Sequence, residues 1–366
     1  MIKSKLPELI NLCMEKNIPF VSFRLPGGNS IQTWIQLSGK IIFVDSILEI
    51  INKKGFVYAP FHRNTNFPVV FFEPEIIIKD DKIEGAFLEE IIKKKPLSAE
   101  LNVTDIAETN QADYIKQAQK FINSFNTSFR KAVLSRIHFA EKKDFDAGKF
   151  FINLQKTYPH ALCHLINIPG AGTWAGASPE MLISIDPKTV QTVSLAGTQQ
   201  NNGRNKPVIW QEKEIEEQQI VSDYIESLLK NFRINSYVKE ETQTVEAGNT
   251  LHLATRYRLK TSELKNRTGD FIEELHPTPA VCGVPKEKAL DMIFNTENHN
   301  REYYAGFLGT LNMNNRTELF VNLRCMKILP NKLALYAGGG LTKKSVPEYE
   351  WEETVLKAQT LLNLLN

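Results

Sequence analysis

The stretch Gly172-Thr-Trp-Ala-Gly-Ala-Ser-Pro-Glu-Met-Leu182 places one acid, Glu180, between a glycine-rich turn and the strand-like run Met181 to Ile185. A charge is unexpected there, because a carboxylate inside a folded chain must be paired, protonated or bound to a metal. A buried carboxylic acid is suited to deliver a proton inside a closed pocket. The stretch therefore predicts a sheet strand with a candidate general acid at its start.

Helices and strands are predicted on both sides of this stretch. The predicted helices lie at about residues 113–126, 147–157, 208–231 and 349–364. The predicted strands lie at 41–44, 69–72, 131–139, 160–168, 181–185, 190–195, 251–258, 305–311, 317–328 and 333–336. Strands in consecutive groups among long helices predict an α+β fold with large antiparallel sheets, and not a doubly wound parallel sheet. Residues 97–111 and 201–207 are predicted loops.

The composition excludes several classes of function. The 366 residues carry 44 Lys and Arg against 42 Asp and Glu, and a net charge of +2 gives no general attraction to nucleic acid or to a membrane. No apolar run approaches membrane-spanning length, and the first residues lack a signal-peptide core. The absence of GxGxxG and P-loop patterns argues against a nucleotide cofactor.

The four cysteines, Cys13, Cys163, Cys282 and Cys325, are widely scattered and form no CxxC pair. This spacing predicts free thiols in a reducing compartment and argues against a zinc site. We therefore expect a cytoplasmic protein.

Glu217 lies on the inward face of the predicted helix 208–231. Ile220, Val221 and Tyr224 follow it at three, four and seven residues, so the carboxylate shares the apolar stripe of the helix. This position fits either a buried ion pair with an arginine or a ligand for a hard cation such as Mg²⁺.

Three charged residues recur at helical spacing on the predicted helix 349–364: Glu350, Glu353 and Lys357. Glu353 and Lys357 fit an exposed i,i+4 pair, worth only about 0.3–0.5 kcal/mol. The preceding run Tyr336-Ala-Gly-Gly-Gly-Leu341 favours a binding role instead, because glycines let backbone N–H groups approach an anionic ligand.

Two basic residues interrupt strand-like runs. Lys131 begins a predicted strand and, by alternation, shares a face with Val133 and Ser135. It can extend outward to solvent or, if it is held inside, act as a base, because desolvation favours the neutral amine. Arg324 either lies on the polar face of its strand or grips a carboxylate with its two parallel N–H groups.

Taken in chain order, these segments resemble the chorismate-utilising enzyme family, and most closely its isochorismate synthases. The resemblance covers about residues 110–366. It rests on an ordered set of motifs: Lys131-Ala-Val-Leu-Ser-Arg136, Gly176-Ala-Ser-Pro-Glu-Met-Leu182, Leu195-Ala-Gly-Thr198, Glu212-Lys-Glu-Ile-Glu-Glu-Gln-Gln-Ile-Val221, His252-Leu253, His276-Pro-Thr-Pro-Ala-Val-Cys-Gly283, Arg324, Ala337-Gly-Gly-Gly340 and Glu350-Trp-Glu-Glu-Thr354. An ordered set of this length is hard to obtain by chance.

The resemblance implies a fold and a division of the chain. The expected fold is a single large α+β domain of two mainly antiparallel sheets packed face to face, with helices outside, as in anthranilate synthase component I. Residues 111–366 would form the chorismate-binding catalytic region. Residues 1–110, which match no family motif, would complete the sheets.

The resemblance also assigns roles to residues. Lys131 is the implied general base and Glu180 the implied general acid. The implied ligands of Mg²⁺ are Glu217 and Glu353, with Glu350 nearby. The implied substrate-binding residues are Gly197, Thr198, His252, Ala280, Arg324, Gly338, Gly339, Gly340 and Lys357.

Local differences within the family favour one reaction. Members that add water carry their general-base lysine at the position of Lys131, whereas amine-adding members lack it. The segment Leu195-Ala-Gly-Thr198 lacks the lysine nucleophile of aminodeoxychorismate synthases, and Ala280 stands where pyruvate-eliminating members usually carry threonine. The resemblance thus implies Mg²⁺-dependent isomerisation of chorismate to isochorismate, in which water adds at carbon 2 and the hydroxyl leaves carbon 4.

Alternatives stay open within and outside this enzyme class. The chain also fits a salicylate synthase, or component I of an anthranilate or aminodeoxychorismate synthase. A catalytically silent chorismate-binding protein is the non-enzymatic alternative. The downstream pathway (menaquinone, a siderophore or salicylate) is open too, and we expect a monomer without an amidotransferase subunit.

Overall fold

The computed structural model describes residues 6–96, 106–201, 208–247 and 250–365. In these ranges the α-helices are α1 Leu6–Glu15, α2 Gly85–Lys93, α3 Gln111–Ser124, α4 Ala147–Thr157, α5 Glu212–Asn231, α6 Thr268–Leu275, α7 Lys286–Phe294 and α8 Pro347–Leu362. Most of the predicted loops 97–111 and 201–207 lies outside the described residues.

The strands follow one another in chain order. They are β1 Phe20–Arg24, β2 Gln32–Ile35, β3 Ile42–Val44, β4 Gly55–Ala59, β5 Val69–Phe72, β6 Ile76–Lys79, β7 Lys131–Glu141, β8 Leu162–Ile168, β9 Gly172–Ser178, β10 Met181–Ile185, β11 Thr189–Gln200, β12 Tyr237–Lys239, β13 Gln243–Ala247, β14 Thr250–Lys260, β15 Gly283–Val284, β16 Phe307–Met313, β17 Arg316–Val321, β18 Cys325–Ile328 and β19 Lys332–Leu341.

These strands form two sheets in which every pairing is antiparallel. The first sheet has the order β15-β7-β19-β18-β9-β8-β1-β2-β6, and the second has the order β12-β14-β11-β10-β17-β16-β4-β5-β3, with β13 also paired to β14. Phe23 of the first sheet contacts Phe56 of the second, with 5.2 Å between ring centroids. The predicted α+β fold of two antiparallel sheets packed face to face is therefore confirmed.

Strand β8 shows why the first sheet needs helices on its outer face. Its residues are buried along the whole strand. Leu162 and Ile166 belong to the core between the sheets, whereas the alternate residues Cys163 and Leu165 belong to an outer core shared with Phe151 of α4. Successive side chains point to opposite faces, so a strand that is buried throughout must be covered on both sides. Helices α1 and α4 supply the second cover.

The segment before residue 111 contributes to both sheets. Strands β1, β2 and β6 belong to the first sheet, and β3, β4 and β5 belong to the second. The four cysteines are buried and unpaired, as the spacing predicts. Within the described ranges, no helix combines the length and the apolar character that crossing a membrane requires.

The prediction of a glycine-rich turn before Glu180 is wrong. Residues Gly172–Ser178 form β9, and the chain bends only at Pro179 and Glu180. Glycine at position 176 has a packing cause: a Cβ there would lie 2.7 Å from the Cβ of Cys325 on β18, its neighbour in the sheet. The glycine therefore permits close approach within the sheet rather than a reversal of the chain.

The predicted strand 317–328 is also wrong as one element, because it divides into β17 of the second sheet and β18 of the first. Asn322 fixes the crossover: its amide N–H donates to the Gly306 carbonyl at 2.7 Å, and its side-chain Nδ2 donates to the Tyr303 carbonyl at 2.8 Å. Arg324 follows with a left-handed φ of 49°. It thus lies at a junction between the sheets, and not on the face of a strand.

Two other predicted strands end too early. The strand predicted to end at Tyr336 continues through the glycine run as β19. Likewise, the strand predicted to end at Leu195 continues to Gln200 as β11, with a register shift between Ala196 and Gln199. Gly197, at a φ of 69°, accommodates this bulge. Both extensions bring predicted site residues into the sheets.

Candidate active site

A cavity of about 70 Å³ lies where strands of both sheets meet α5 and α8. Most of the predicted site residues line this one cavity: Lys131, Glu180, Gly197, Thr198, Glu217, His252, Ala280, Arg324, Gly338, Gly340, Glu353 and Lys357. Gly339 and Glu350 are not part of this lining. Residues from widely separated segments thus converge on a single cavity.

Lys131 is held inside and does not extend to solvent. Its side chain is fully buried, and its Nζ lies 3.1 Å from Oε1 of Glu217. This contact is an ion pair without good hydrogen-bond geometry. Among the described residues the Nζ of Lys131 therefore has no hydrogen-bond partner. The ammonium or amine group therefore retains hydrogen-bonding capacity inside the cavity. The buried ion pair considered for Glu217 exists, but its partners are lysines and not an arginine.

Glu180 follows β9 and precedes β10, so the sheet fixes its backbone. Its carbonyl accepts a hydrogen bond from the Val321 amide at 2.9 Å. Burial raises the pKa of the Glu180 carboxyl to about 7, even though Lys131, Lys357 and Arg324 act in the opposite direction. A carboxyl group with this pKa is substantially protonated near neutral pH and can donate a proton.

Arg324 and His252 form a second polar group in the cavity. Nη2 of Arg324 lies 3.3 Å from Oγ1 of Thr250 and 3.5 Å from Nε2 of His252. Nη1 is buried and has no partner among the described residues. Burial lowers the pKa of Arg324 to about 10, which still leaves the guanidinium charged at neutral pH. A buried cation with an unused donor is suited to bind a carboxylate.

His252 is neutral in this setting. Burial, and then the nearby Arg324, lower its pKa to about 3. Its Nδ1 lies 2.8 Å from the carbonyl of Gly197, to which it donates, so Nε2 is left as an acceptor facing Arg324. The bulge at Gly197 thus fixes the orientation of the imidazole ring.

Lys357 and Glu353 form the i,i+4 pair considered from the sequence, but the pair is not exposed. Nζ of Lys357 lies 2.6 Å from Oε1 of Glu353 and donates to the Gly338 carbonyl at 2.8 Å. The two side chains are 17% and 14% exposed. Burial alone would raise the pKa of Glu353, but Lys357 and Lys213 lower it to about 2.

The glycine run of β19 makes room for side chains. Gly338, Gly339 and Gly340 pair with β7 in regular antiparallel register. A Cβ at Gly340 would overlap the carboxylate of Glu217 and lie 2.9 Å from Cε of Lys131, whereas a Cβ at Gly339 would lie 3.1 Å from Oε2 of Glu350. The run therefore lets acidic side chains from two helices lie directly against the sheet.

The three glutamates named as metal ligands surround an ammonium group in this structure. Nζ of Lys213 lies 2.9 Å from Glu350, 3.7 Å from Glu217 and 3.9 Å from Glu353. Burial alone would lower the pKa of Lys213, but the three carboxylates raise it well above its usual value. Among the described residues, no group of three or more acidic, His or Cys side chains is arranged to hold a metal ion. The three glutamates would therefore have to move before they could bind one.

Sequence reasoning missed several residues of this site. Lys213 carried a signal, because it lies four residues before Glu217 and so shares its face of α5. Tyr304 and Tyr336, whose rings stack with 5.3 Å between centroids, also line the cavity, but no spacing pattern connects them in the sequence. A larger cavity of about 440 Å³ adjoins the site and shares Pro179, Leu195 and Arg324 with it.

Comparisons with known proteins identify the family of this chain. Residues 66–366 match the family model described as "Chorismate binding enzyme". The vibriobactin-specific isochorismate synthase of Vibrio cholerae is 27% identical over 70% of this chain and 67% of its own length. Isochorismate synthase MenF of Escherichia coli is 30% identical over 80% of this chain and 69% of its own length.

The fold has a close counterpart among solved structures. The structure titled 2,3-dihydroxybenzoate-specific isochorismate synthase DhbC, from Bacillus anthracis, superposes with a TM-score of 0.76 and 23% sequence identity. The match covers 99% of each chain. The shared architecture includes the N-terminal strands that the family model does not reach.

Proposed function

Because this chain belongs to the chorismate-binding enzyme family, we propose that it is an isochorismate synthase, an isomerase that converts chorismate to isochorismate. The observation that carries the proposal is the convergence of Lys131 and Glu180 on one cavity that is also lined by Arg324 and Lys357. A candidate base, a candidate acid and two cations are the groups that this reaction on a dianion requires.

Lys131 and Glu180 divide the proton transfers between them. Lys131 accepts a proton from the water molecule that forms the new bond to ring carbon 2. The ring double bonds shift, and Glu180 gives its proton to the hydroxyl that leaves carbon 4 as water. One water is consumed and one is released, so the reaction is an isomerisation. The high pKa of Glu180 supports this assignment, because the acid must hold its proton until the bond to carbon 4 breaks.

The cationic groups hold the two carboxylates of the substrate. Arg324, with its unpartnered Nη1, binds the pyruvyl carboxylate together with the backbone of Gly338, Gly339 and Gly340. Lys357 lies near the ring carboxylate, while Thr198, neutral His252 and Ala280 line the ring. Binding both ends of the substrate fixes its pose between acid and base.

The carboxylates of Glu217 and Glu353, with Glu350 beside them, fit Mg²⁺, since carboxylate oxygens are its preferred protein ligands. Oε2 of Glu350 is buried and lacks a partner among the described residues, so the cluster has unused capacity for a cation. Bound Mg²⁺ would offset the charge of the ring carboxylate. These carboxylate oxygens now lie 2.9–3.9 Å from Nζ of Lys213, and they would have to rearrange in order to hold the metal.

The deciding experiment is incubation of the purified protein with chorismate and Mg²⁺, followed by chromatographic identification of the product. We expect isochorismate. Fluorescent salicylate or anthranilate would assign the chain to another member of the family, and binding of chorismate without turnover would assign it to a silent binding protein. Consumption of chorismate without ammonia or a second protein would support the absence of an amidotransferase subunit.

The proposal extends to the setting of the enzyme. We place it in the cytoplasm on the basis of the scattered free cysteines. We propose a monomer because the sequence shows no obvious docking segment. One of the relatives named above is specific for vibriobactin by its name, whereas the residues of this site act on chorismate itself and not on any later product.

A further inference from the structure

Lys213 occupies the centre of the acidic cluster on which the proposed function relies. It lies in the first turn of α5, and its side chain is 14% exposed, while the carboxylate of Glu350 is 3% exposed and that of Glu217 is 7% exposed. The side chain of Glu353 is equally exposed, at 14%, so Lys213 and Glu353 are the two most exposed side chains of the cluster. Its ammonium is the one group within 4 Å of all three carboxylates among the described residues.

The other two lysines of the site have different tasks. Lys131 lies on the opposite side of Glu217 and reaches Oε1, whereas Lys213 reaches Oε2. Lys357 donates hydrogen bonds to Oε1 of Glu353 and to the Gly338 carbonyl. Lys213 alone faces Glu217, Glu350 and Glu353 together, the set that the proposed function gives to a metal ion.

Electrostatics explains why a cation is needed at this position. Three buried carboxylates within a few ångströms repel one another strongly unless positive charge lies among them. Lys131 and Lys357 neutralise one carboxylate each, and among the described residues Glu350 has only Lys213 as a cationic partner. In spite of that contact, Oε2 of Glu350 remains without a partner among the described residues, so a monovalent ammonium does not satisfy the cluster completely.

We propose that Lys213 is a built-in substitute for the metal: its ammonium holds the carboxylates of Glu217, Glu350 and Glu353 together when no divalent cation is bound, and it moves toward solvent when the metal enters. A metal ion bound by all three carboxylates would take the position that the ammonium of Lys213 now holds, and the two cations would repel one another strongly there. Lys213 is therefore a positioning residue that stabilises the metal-free protein and competes with the metal. The inference rests on the proposed function only for the identity of the metal site.

Calorimetric titration with MgCl₂ in the absence of chorismate tests this competition separately from turnover. We expect Lys213→Gln to bind Mg²⁺ about tenfold more tightly than the wild type, because removal of one positive charge favours a dication in the same cluster. Lys213→Arg, which keeps the charge, should show no such gain. Lys344→Gln is the matched control, because Lys344 contacts Glu212 and Glu216 on the surface of the same helix.

Unchanged or weaker Mg²⁺ binding by Lys213→Gln overturns the inference, as does a lack of binding by all four proteins. Thermal unfolding adds a second readout. Metal-free Lys213→Gln should unfold at a lower temperature than the wild type, and MgCl₂ should raise its midpoint more than that of the wild type.

Wild-type protein provides a test that does not depend on a variant folding. Lysines are acetylated with and without MgCl₂, and the extent of modification is measured by peptide mass spectrometry. Modification of Lys213 should rise several-fold with Mg²⁺, whereas that of exposed Lys344 should stay constant. Equal protection of Lys213 in both conditions contradicts displacement. Because none of the three measurements uses chorismate, failure of the proposed enzymatic activity leaves these tests intact.

Discussion

Nζ of Lys131 lies 3.1 Å from Oε1 of Glu217, with both side chains almost completely removed from solvent. The contact joins the first residue of β7 to the second turn of α5. In the proposed mechanism one partner is the general base and the other is a metal ligand. The same pair therefore supports folding and chemistry, and the two contributions can be separated by experiment.

Replacing both members of this pair should restore stability without restoring activity. Glu217→Gln should lower the free energy of unfolding by about 3–5 kcal/mol, because it leaves Lys131 buried without its partner. Lys131→Met should cost less, because Glu217 keeps Lys213 at 3.7 Å. The double variant should lose less than the sum of the two. Denaturant unfolding of the three variants measures the coupling energy. Strict additivity would contradict a direct interaction in solution.

Loss of the acid or of the base should abolish most of the turnover. We expect Lys131→Ala and Glu180→Gln to lower kcat by about 10²–10⁴-fold, the usual contribution of a proton-transfer group. Lys149→Ala is a suitable control, because Lys149 is exposed on α4. Product formation from chorismate at saturating Mg²⁺ provides the measurement. Wild-type turnover in the Lys131 variant would remove this residue from the mechanism.

The activity should fall as pH rises through about 7. Burial raises the pKa of Glu180 to about 7, and the proposed mechanism needs this carboxyl in its protonated form. The proton is held below that pH and lost above it, so kcat/KM for chorismate should decline on the alkaline side. Glu350→Gln tests the assignment, because burial also raises the pKa of Glu350 to about 7. Disappearance of the decline in that variant would transfer it from Glu180 to Glu350.

A methyl group added to the glycine run of β19 should displace side chains of the site and lower the activity. In Gly340→Ala the added Cβ overlaps the Glu217 carboxylate and approaches Cε of Lys131, so both side chains must move. We expect a loss of at least about 10²-fold in kcat/KM, since small displacements of catalytic groups have effects of this size. Gly339→Ala, whose Cβ would lie 3.1 Å from Oε2 of Glu350, should be milder. Equal activities of the two variants would contradict the steric argument.

Stability should depend on a glycine far from the site. In Gly148→Ala the Cβ would overlap the backbone of Pro7 where α4 crosses α1, and we expect about 1–3 kcal/mol of destabilisation from overpacking. Gly85→Ala, in a helix with open space around the added Cβ, should be neutral or slightly stabilising. Thermal unfolding compares the two variants. A marginal effect at position 148 would mean that the two helices separate easily.

Elements with a strong local pattern could be predicted closely from the sequence. The bounds of α4, Ala147–Thr157, and of β10, Met181–Ile185, agree with the prediction because apolar spacing and flanking turn residues define both ends. The predicted helix 208–231 ends at Asn231 as α5 does, but α5 begins at Glu212 and not at residue 208.

Features that depend on distant contacts could not be predicted. Gly176 and Gly340 resemble turn residues in the sequence, and only the neighbouring Cys325 and Glu217 show that these positions need glycine for space. The short helix α1 carries its apolar residues at helical spacing, but its burial depends on α4, some 130 residues later.

The candidate site could be predicted better than the strands that build it. Resemblance brought together twelve residues that line one cavity, although the elements carrying Gly197, Arg324 and Gly340 were assigned wrongly or ended too early. Lys213 was missed because a lysine before a glutamate at i,i+4 is usually an ordinary surface pair. Only the folded structure shows that Lys213 also contacts Glu350 and Glu353 of another helix, and that it therefore belongs to the site.

The pairing of β4 with β16 has a consequence for biosynthesis. Ala59 pairs with Phe307, about 250 residues later in the chain. At translation rates of roughly 5–20 residues per second, the apolar strand β4 emerges from the ribosome tens of seconds before its neighbour exists. During that interval the nascent chain exposes aggregation-prone segments, and folding to completion must wait for nearly the whole polypeptide. We therefore expect high-level expression to benefit from chaperones that shield Phe56 and its neighbours until the late strands arrive.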